Sequence, residues 1–180
     1  LPAQEFPVVA EVDVLVVGGG AGGIGAAVGA AQNGASVAIV EYNGCLGGLL
    51  TSGYITNCEA AVAVSGDNIL IRGVFEKLVD RMVEKGGAIR GYELKRSNKY
   101  YPFDTSRCEN DLQITPWDPE VFKLAADELI QEYGIRPFYY TLVTDVLMDG
   151  NVLTGVIIEN RSGRQVIRAK RLIDSSGNLI

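Results

Sequence analysis

The stretch Asp13-Val14-Leu15-Val16-Val17-Gly18-Gly19-Gly20-Ala21-Gly22-Gly23-Ile24-Gly25-Ala26-Ala27 constrains this chain more than any other. Val12, Val14, Leu15, Val16 and Val17 make an apolar run of strand length. Gly18, Gly20 and Gly23 come next in G-x-G-x-x-G spacing, and Ile24, Ala27, Val28 and Ala31 then recur at helical intervals. Each glycine has a physical reason. Gly18 permits a tight strand-to-helix turn, and Gly20 lets backbone N–H groups approach a pyrophosphate. Gly23 brings the helix against the sheet, so that its positive N-terminus faces the phosphates.

Among 22 glycines in 180 residues the spacing alone carries little weight. Its surroundings carry more. A second apolar run, Val37 to Val40, ends in Glu41, 23 residues beyond Gly18, where an acid binding a ribose hydroxyl falls. The intervening helix is expected from about Gly22 to Asn33, stopped by Gly34 as a left-handed cap. Directly after Glu41, Gly47 and Gly48 set more bare backbone beside the same phosphates, and Thr51 and Ser52 add hydroxyls. An ordinary glycine loop has the same spacing, and a glycine-rich turn in another α/β protein is the plainer account of the first motif.

Composition narrows the chemistry. A net charge of −6 opposes nucleic-acid binding, which needs a basic face, but not a diphosphate held by amides. The chain holds no histidine, which excludes within it a Ser-His-Asp triad, a histidine base, a histidine metal ligand and a histidyl flavin link. Cys45, Cys58 and Cys108 lack C-x-x-C spacing, so no metal site is expected and at most one disulfide. Free thiols are the bland reading, and a thioether from Cys45 to a flavin is the sharp one. No apolar run reaches membrane-spanning length.

Taken together, the Gly18 to Gly23 turn, Glu41, Leu46-Gly47-Gly48 and Thr51-Ser52-Gly53 resemble the N-terminal part of the FAD-dependent oxidoreductase family, within the glutathione-reductase-like two-dinucleotide-binding superfamily. The resemblance implies that Gly18, Gly20, Ala21, Gly22 and Gly23 line the diphosphate and that Glu41 binds the adenosine ribose. It implies that Gly47, Gly48, Thr51 and Ser52 run beneath the pyrophosphate, ribityl chain and flavin ring. Thr141-Leu142-Val143 is similar to the family's Thr-x-Val, whose valine backbone meets the adenine. Asp174-Ser175-Ser176-Gly177-Asn178 is similar to its Asp-Ala-Thr-Gly-Asp, which returns to the cofactor and implies contacts at Ser176 and Gly177. Ser175 stands where the family has alanine, Ser176 where it has threonine, and Asn178 where it has an aspartate. Asp174 reads as a strand-end cap or as an organiser of the cofactor loop.

Elsewhere the pattern is structural. Ile71, Val74, Phe75, Leu78 and Met82 keep one helical face, ended by Gly86-Gly87. Asp118-Pro119-Glu120 opens a helix with a capping carboxylate and a proline at its first position, and Gly134 stops it. Ile135 to Tyr140 reads as a strand. From Thr141 onward, turns at Asp149-Gly150-Asn151 and Ser162-Gly163 divide the chain into three antiparallel strands. Tyr100, Tyr101, Phe103 and Trp117 either pin a long loop to the core or touch a ligand, and Arg107 beside Cys108 is equally open.

The expected fold is α/β: a Rossmann-like dinucleotide-binding domain over 12–180, with a mainly parallel sheet, helices on both faces and a three-stranded antiparallel β-meander. Residues 1–11 are expected as an extended arm and 67–119 as a partly irregular insertion, with no substrate domain in the chain. The implied function is hydride transfer between a small-molecule substrate and FAD, with no catalytic acid or base identifiable. Two alternatives stand beside it: a flavin-binding or electron-transfer piece that needs a partner chain, and an NAD-binding domain. With Leu1 first, an initiator, leader or expression segment is expected to have been removed, and cytoplasmic and exported locations both stay open.

Overall fold

The computed structural model describes residues 5–58, 71–90 and 115–178. Its strands, in chain order, begin with β1 (Val8–Val17), β2 (Val37–Val40), β3 (Asn57–Cys58) and β4 (Thr115–Pro116). After them come β5 (Arg136–Phe138), β6 (Leu142–Asp149), β7 (Val152–Asn160) and β8 (Gly163–Asp174). Six of these form the central sheet, in the order β5-β2-β1-β8-β7-β6. Three pairings are parallel: β1 with β2, β1 with β8, and β2 with β5. The β6–β7 and β7–β8 pairings are antiparallel, joined at Gly150 and Gly163, both at positive φ. The meander is therefore continuous with the parallel sheet. The reason is β8, whose first half pairs with β7 while its stretch from Val166 to Asp174 pairs with β1.

Two apolar cores flank the sheet. Val16 of β1 and Val37 and Ile39 of β2 pack with α1 (Ala21–Gln32), α2 (Val74–Glu84) and α3 (Pro119–Glu132). Ile24, Met82, Phe122 and Leu129 are large side chains fully buried there, each contributing about 2 kcal/mol by leaving water. The alternate residues Leu15, Val17, Ala38 and Val40 form the second core with Val156, Ile158, Ile167 and Ala169. No helix residue belongs to it. Among the described residues the helices thus occupy one face, and meander strands cover the other. The two apolar-rich strands β7 and β8 bury that face without a crossover helix. The α/β class, the mainly parallel sheet and the three-stranded meander are as expected.

The helix boundaries follow the local chemistry. Asp118 caps α3 by accepting the Glu120 N–H at 2.8 Å, with Pro119 in the first turn, and Gly134 beyond its end sits at φ +64°. Gly34 after α1 is likewise left-handed, at +84°. Helix α2 begins at Val74, three residues inside the expected apolar stripe, behind Gly73. β1 begins at Val8 and pairs from there with β8, so residues 8–11 belong to the sheet. The short strands β3 and β4 pair antiparallel with each other, apart from the main sheet. Tyr100, Tyr101, Phe103, Arg107 and Cys108 lie outside the described residues. No helix among the described residues is long and apolar enough to cross a membrane.

Candidate functional site

At the C-terminal ends of the parallel strands lies a cleft of about 990 Å³. β1 delivers Val17 and Gly18 to it, β2 delivers Val40 and Glu41, and β8 is followed there by Ser175 and Ser176. This is where ligands bind in open α/β sheets, because the strand ends leave a crevice lined by loops and helix starts.

The glycines differ sharply in what surrounds them. Gly18 has φ +94°, and a β-carbon there would sit 2.6 Å from the Ser175 carbonyl oxygen. At Gly23 a β-carbon would lie 1.8 Å from the Gly18 carbonyl oxygen, so α1 reaches the turn only because residue 23 has no side chain. Gly20 is the opposite case. Its added β-carbon would meet nothing within 4 Å, so the open side of the turn faces the cleft. Gly20 caps α1 without a side-chain hydrogen bond, and no acid occupies the first turn. The helix dipole and its leading amides therefore meet no anionic side chain of their own helix.

The second glycine turn is fastened to the first. The Gly47 N–H donates to the Gly19 carbonyl at 2.8 Å, and Gly20 and Gly47 bridge as parallel strands do. Gly47 and Gly48 have φ +106° and +55°, and Gly48 opens a short 3-10 turn, Gly48–Leu50. Gly47, Gly48 and Ser52 line the cleft. Thr51 does not. It is fully buried and its hydroxyl donates to the Leu46 carbonyl at 2.7 Å, so this threonine shapes the turn from behind. Cys45 is also turned away, its Sγ 3.3 Å from the Ser52 hydroxyl.

Glu41 is 6% exposed, and its carboxylate is held in place by three N–H groups. Gly19 N–H donates to Oε2 at 2.6 Å; the Asn43 backbone N–H and side-chain amide donate to Oε1 at 2.6 and 2.9 Å. A carboxylate offers about four acceptor positions, and these three hydrogen bonds leave one on Oε2. The same segment is laced to the meander. Glu41 N–H donates to the Phe138 carbonyl, Thr141 N–H to the Glu41 carbonyl and Tyr140 N–H to the Asn43 carbonyl. Tyr140 takes φ +50° in doing so. Val143, just beyond Thr141, lines the cleft beside Glu41 and Tyr42. Behind it the Tyr139 hydroxyl donates to Asp127; burial, then that carboxylate, pushes the phenol above its ordinary range, so it stays neutral.

Of the residues expected at the site, Gly18, Gly20, Ala21, Gly22, Glu41, Gly47, Gly48, Ser52, Val143 and Ser176 share this one cleft. Gly23, Thr51 and Gly177 stand outside its lining. Gly23 and Thr51 are packing positions, and Gly177 is a turn residue at φ +81°. Asp174 has a structural part: its Oδ1 accepts the Ser176 N–H at 2.9 Å and hydroxyl at 2.7 Å. Trp117 is buried and its indole N–H donates to the Leu50 carbonyl at 3.1 Å, while residues 91–114 of the long loop it was expected to pin lie outside the described residues. Two further residues stand at the site: Asn43, which orients Glu41, and Ser175, whose hydroxyl points toward Gly22 at the start of α1. Asn43 gave no signal beyond standing two residues after the acid. Ser175 was visible as a departure from alanine.

Relatives place this geometry. The chain is 26% identical over 170 residues to a tRNA uridine 5-carboxymethylaminomethyl modification enzyme of Granulibacter bethesdensis, an alignment covering 89% of this chain and 26% of that protein. The chain thus spans about a quarter of that relative's length. Among solved structures, the myxobacterial FAD-dependent chondrochloren halogenase superposes with a TM-score of 0.61 at 20% identity, covering 94% of this chain and 38% of that one. A 3-ketosteroid dehydrogenase of Rhodococcus jostii gives 0.56 at 17% identity, covering 93% and 42%. At such identities these likenesses speak for the fold alone, a Rossmann-like flavoprotein domain. Residues 13–178 match the family described as FAD dependent oxidoreductase, a span that runs from the first strand through the last cleft residue, and the chain belongs to that family, with FAD as its cofactor.

Proposed function

We propose that this chain holds FAD for the oxidation or reduction of a small-molecule substrate by hydride transfer. The observation that carries this reading is the junction of two glycine turns, joined by the Gly47–Gly19 hydrogen bond, along a cleft whose other end presents the Glu41 carboxylate. The residues fit the cofactor. Gly20 leaves open space at the start of α1 for a diphosphate, with Gly18, Ala21 and Gly22 beside it. Glu41 keeps an acceptor position for a ribose hydroxyl, and Val143 lines the cleft, where the family resemblance implies the adenine. Gly47, Gly48, Ser52 and Ser176 line the remaining length. When bound, FAD supplies two-electron hydride chemistry, and the protein supplies position and electrostatics.

The test is a flavin titration with visible absorbance as its readout. The protein is expected to take up one FAD and to show flavin bands. Glu41→Ala, which removes a charge-assisted hydrogen bond, is expected to weaken binding on the order of tenfold or more. Absence of flavin uptake by the wild-type protein, or tighter binding of NAD than of FAD, would overturn the reading.

A second reading rests on the cleft's inventory. Among its described lining residues only Glu41 and Tyr42 ionise, side by side at the ribose end. On this reading the chain is the cofactor-holding part, and the acid or base that acts on substrate comes from residues outside this lining or from a partner chain. FAD-loaded protein that reduces an acceptor as an isolated 180-residue chain would count against it.

A further inference from the structure

We infer that Trp117 is a positioning residue for the cofactor cleft, a brace that couples the second glycine turn to the helical layer. The inference rests on the FAD reading for its function, but its geometry is independent of it. Trp117 is the single tryptophan of the chain and is 5% exposed. Its backbone is stitched on two sides: its N–H donates to the Thr56 carbonyl at 2.9 Å, and it bridges Ala88 beyond the end of α2. The next residue, Asp118, donates its N–H to the Gly87 carbonyl at 2.7 Å and caps α3. The ring is thus placed by three separate segments before it touches the cleft loop.

From that anchorage two contacts run to the turn. The indole N–H donates to the carbonyl of Leu50, the last residue of the 3-10 turn that Gly48 opens. The ring also packs on Phe122, with centroids 5.7 Å apart, and Phe122 closes the back of Gly47: a β-carbon there would come within 3.1 Å of its Cε1. Gly47 and Leu50 are therefore fixed from the helical side while Gly47 is tied to Gly19 from the other. The height of the second turn above the first is set between these two anchorages. Short turns of this kind sit at the low-stability end of a fold, and an outside anchor decides whether a ligand meets one geometry or many.

Trp117→Phe tests this in the full chain, because it keeps an aromatic face for Phe122 and removes the indole N–H. Hydrogen exchange on the ligand-free variant is expected to speed up across residues 46–53 while α1 is unchanged. FAD affinity is expected to fall about fivefold, the effect of losing one hydrogen bond, and the visible circular dichroism of bound flavin to change. Leu129→Val, a core substitution in α3 two turns beyond Phe122, serves as the control for general loosening. The inference is overturned if exchange at 46–53 is unaffected in Trp117→Phe. It is equally overturned if Leu129→Val weakens FAD as much at a matched Tm, or if affinity and dichroism stay at wild-type values. Wild-type protein that takes up no FAD sinks the cofactor reading instead, and the exchange data tell the two failures apart.

Discussion

At the scale of single residues, Gly20 and Gly23 are alike in sequence and opposite in consequence. Gly20 sits at φ −68° and ψ −175°, a conformation alanine adopts freely, and a methyl there meets no protein atom. Gly20→Ala should leave the ligand-free protein as stable as the wild type, or more so by up to about 1 kcal/mol. On the proposed FAD reading the same methyl would stand where the diphosphate approaches, so FAD affinity should drop on the order of tenfold or more. Gly23→Ala should instead destabilise the fold itself by about 3 kcal/mol or more, because its methyl meets the Gly18 carbonyl, which the turn cannot move. Thermal unfolding without ligand, paired with flavin titration, separates the two. Equal loss of Tm in both variants would mean that Gly20 is not the open side of the turn. The motif's spacing was legible in the sequence, but this division of labour was not. Which glycine faces a carbonyl and which faces a void depends on how the turn folds back on itself, with Gly23 set against the Gly18 carbonyl and Gly20 turned away, and spacing does not reveal that. Thr51 makes the same point beside Ser52. Adjacent hydroxyls look interchangeable in sequence, and only the 3-10 turn decides that one is buried on Leu46 and the other lines the cleft.

Among the elements, β1 is fastened to both its neighbours, β2 and β8, by one carboxylate. Asp13 of β1 accepts from the Ser36 N–H and hydroxyl at the entry to β2 and pairs with Lys170 of β8 at 2.6 Å. Lys170, then the two Ser36 donors, hold its carboxyl well below the usual carboxylate range. A carboxyl depressed in the folded state stabilises above its unfolded pKa, about 4, and loses that contribution as pH falls through the lower folded value. The Tm difference between wild type and Asp13→Asn should therefore be constant from neutral pH down to about pH 5 and narrow below about pH 4. A difference that stays constant through about pH 3, or widens there, would show that the pairing is not what links these strands. Helices α1 and α3 and the order of the meander strands were readable from caps and periodicity, because their determinants are local. The β3–β4 pair and the Trp117 brace were not. Two-residue strands have no period, and the residues they join, Asn57 with Pro116, are far apart in the chain.

For the whole molecule, the question is how a protein of net charge −6 retains an anionic cofactor. Among the described lining of the cleft there is no lysine or arginine, and the one carboxylate accepts three N–H groups. On the proposed reading the attraction is then left to oriented backbone N–H groups and the α1 dipole, acting over a few ångströms inside a crevice. Interactions that close are screened little by salt, whereas exposed charges beyond a Debye length of about 10 Å at 0.1 M are screened strongly. The distant charges on this protein are mostly repulsive to a diphosphate. Added salt should therefore weaken the repulsion and leave the holding contacts intact. FAD affinity is expected to stay within about twofold, or to tighten slightly, as NaCl is raised from about 50 to 500 mM, and the association rate to rise. A cradle built on lysine or arginine would do the reverse, losing affinity as its charges were screened. Equilibrium titrations and stopped-flow binding across that range decide between the two. A loss of affinity on the order of tenfold would place a cationic side chain at the diphosphate, and with it a part of the site carried by residues outside this cleft's lining.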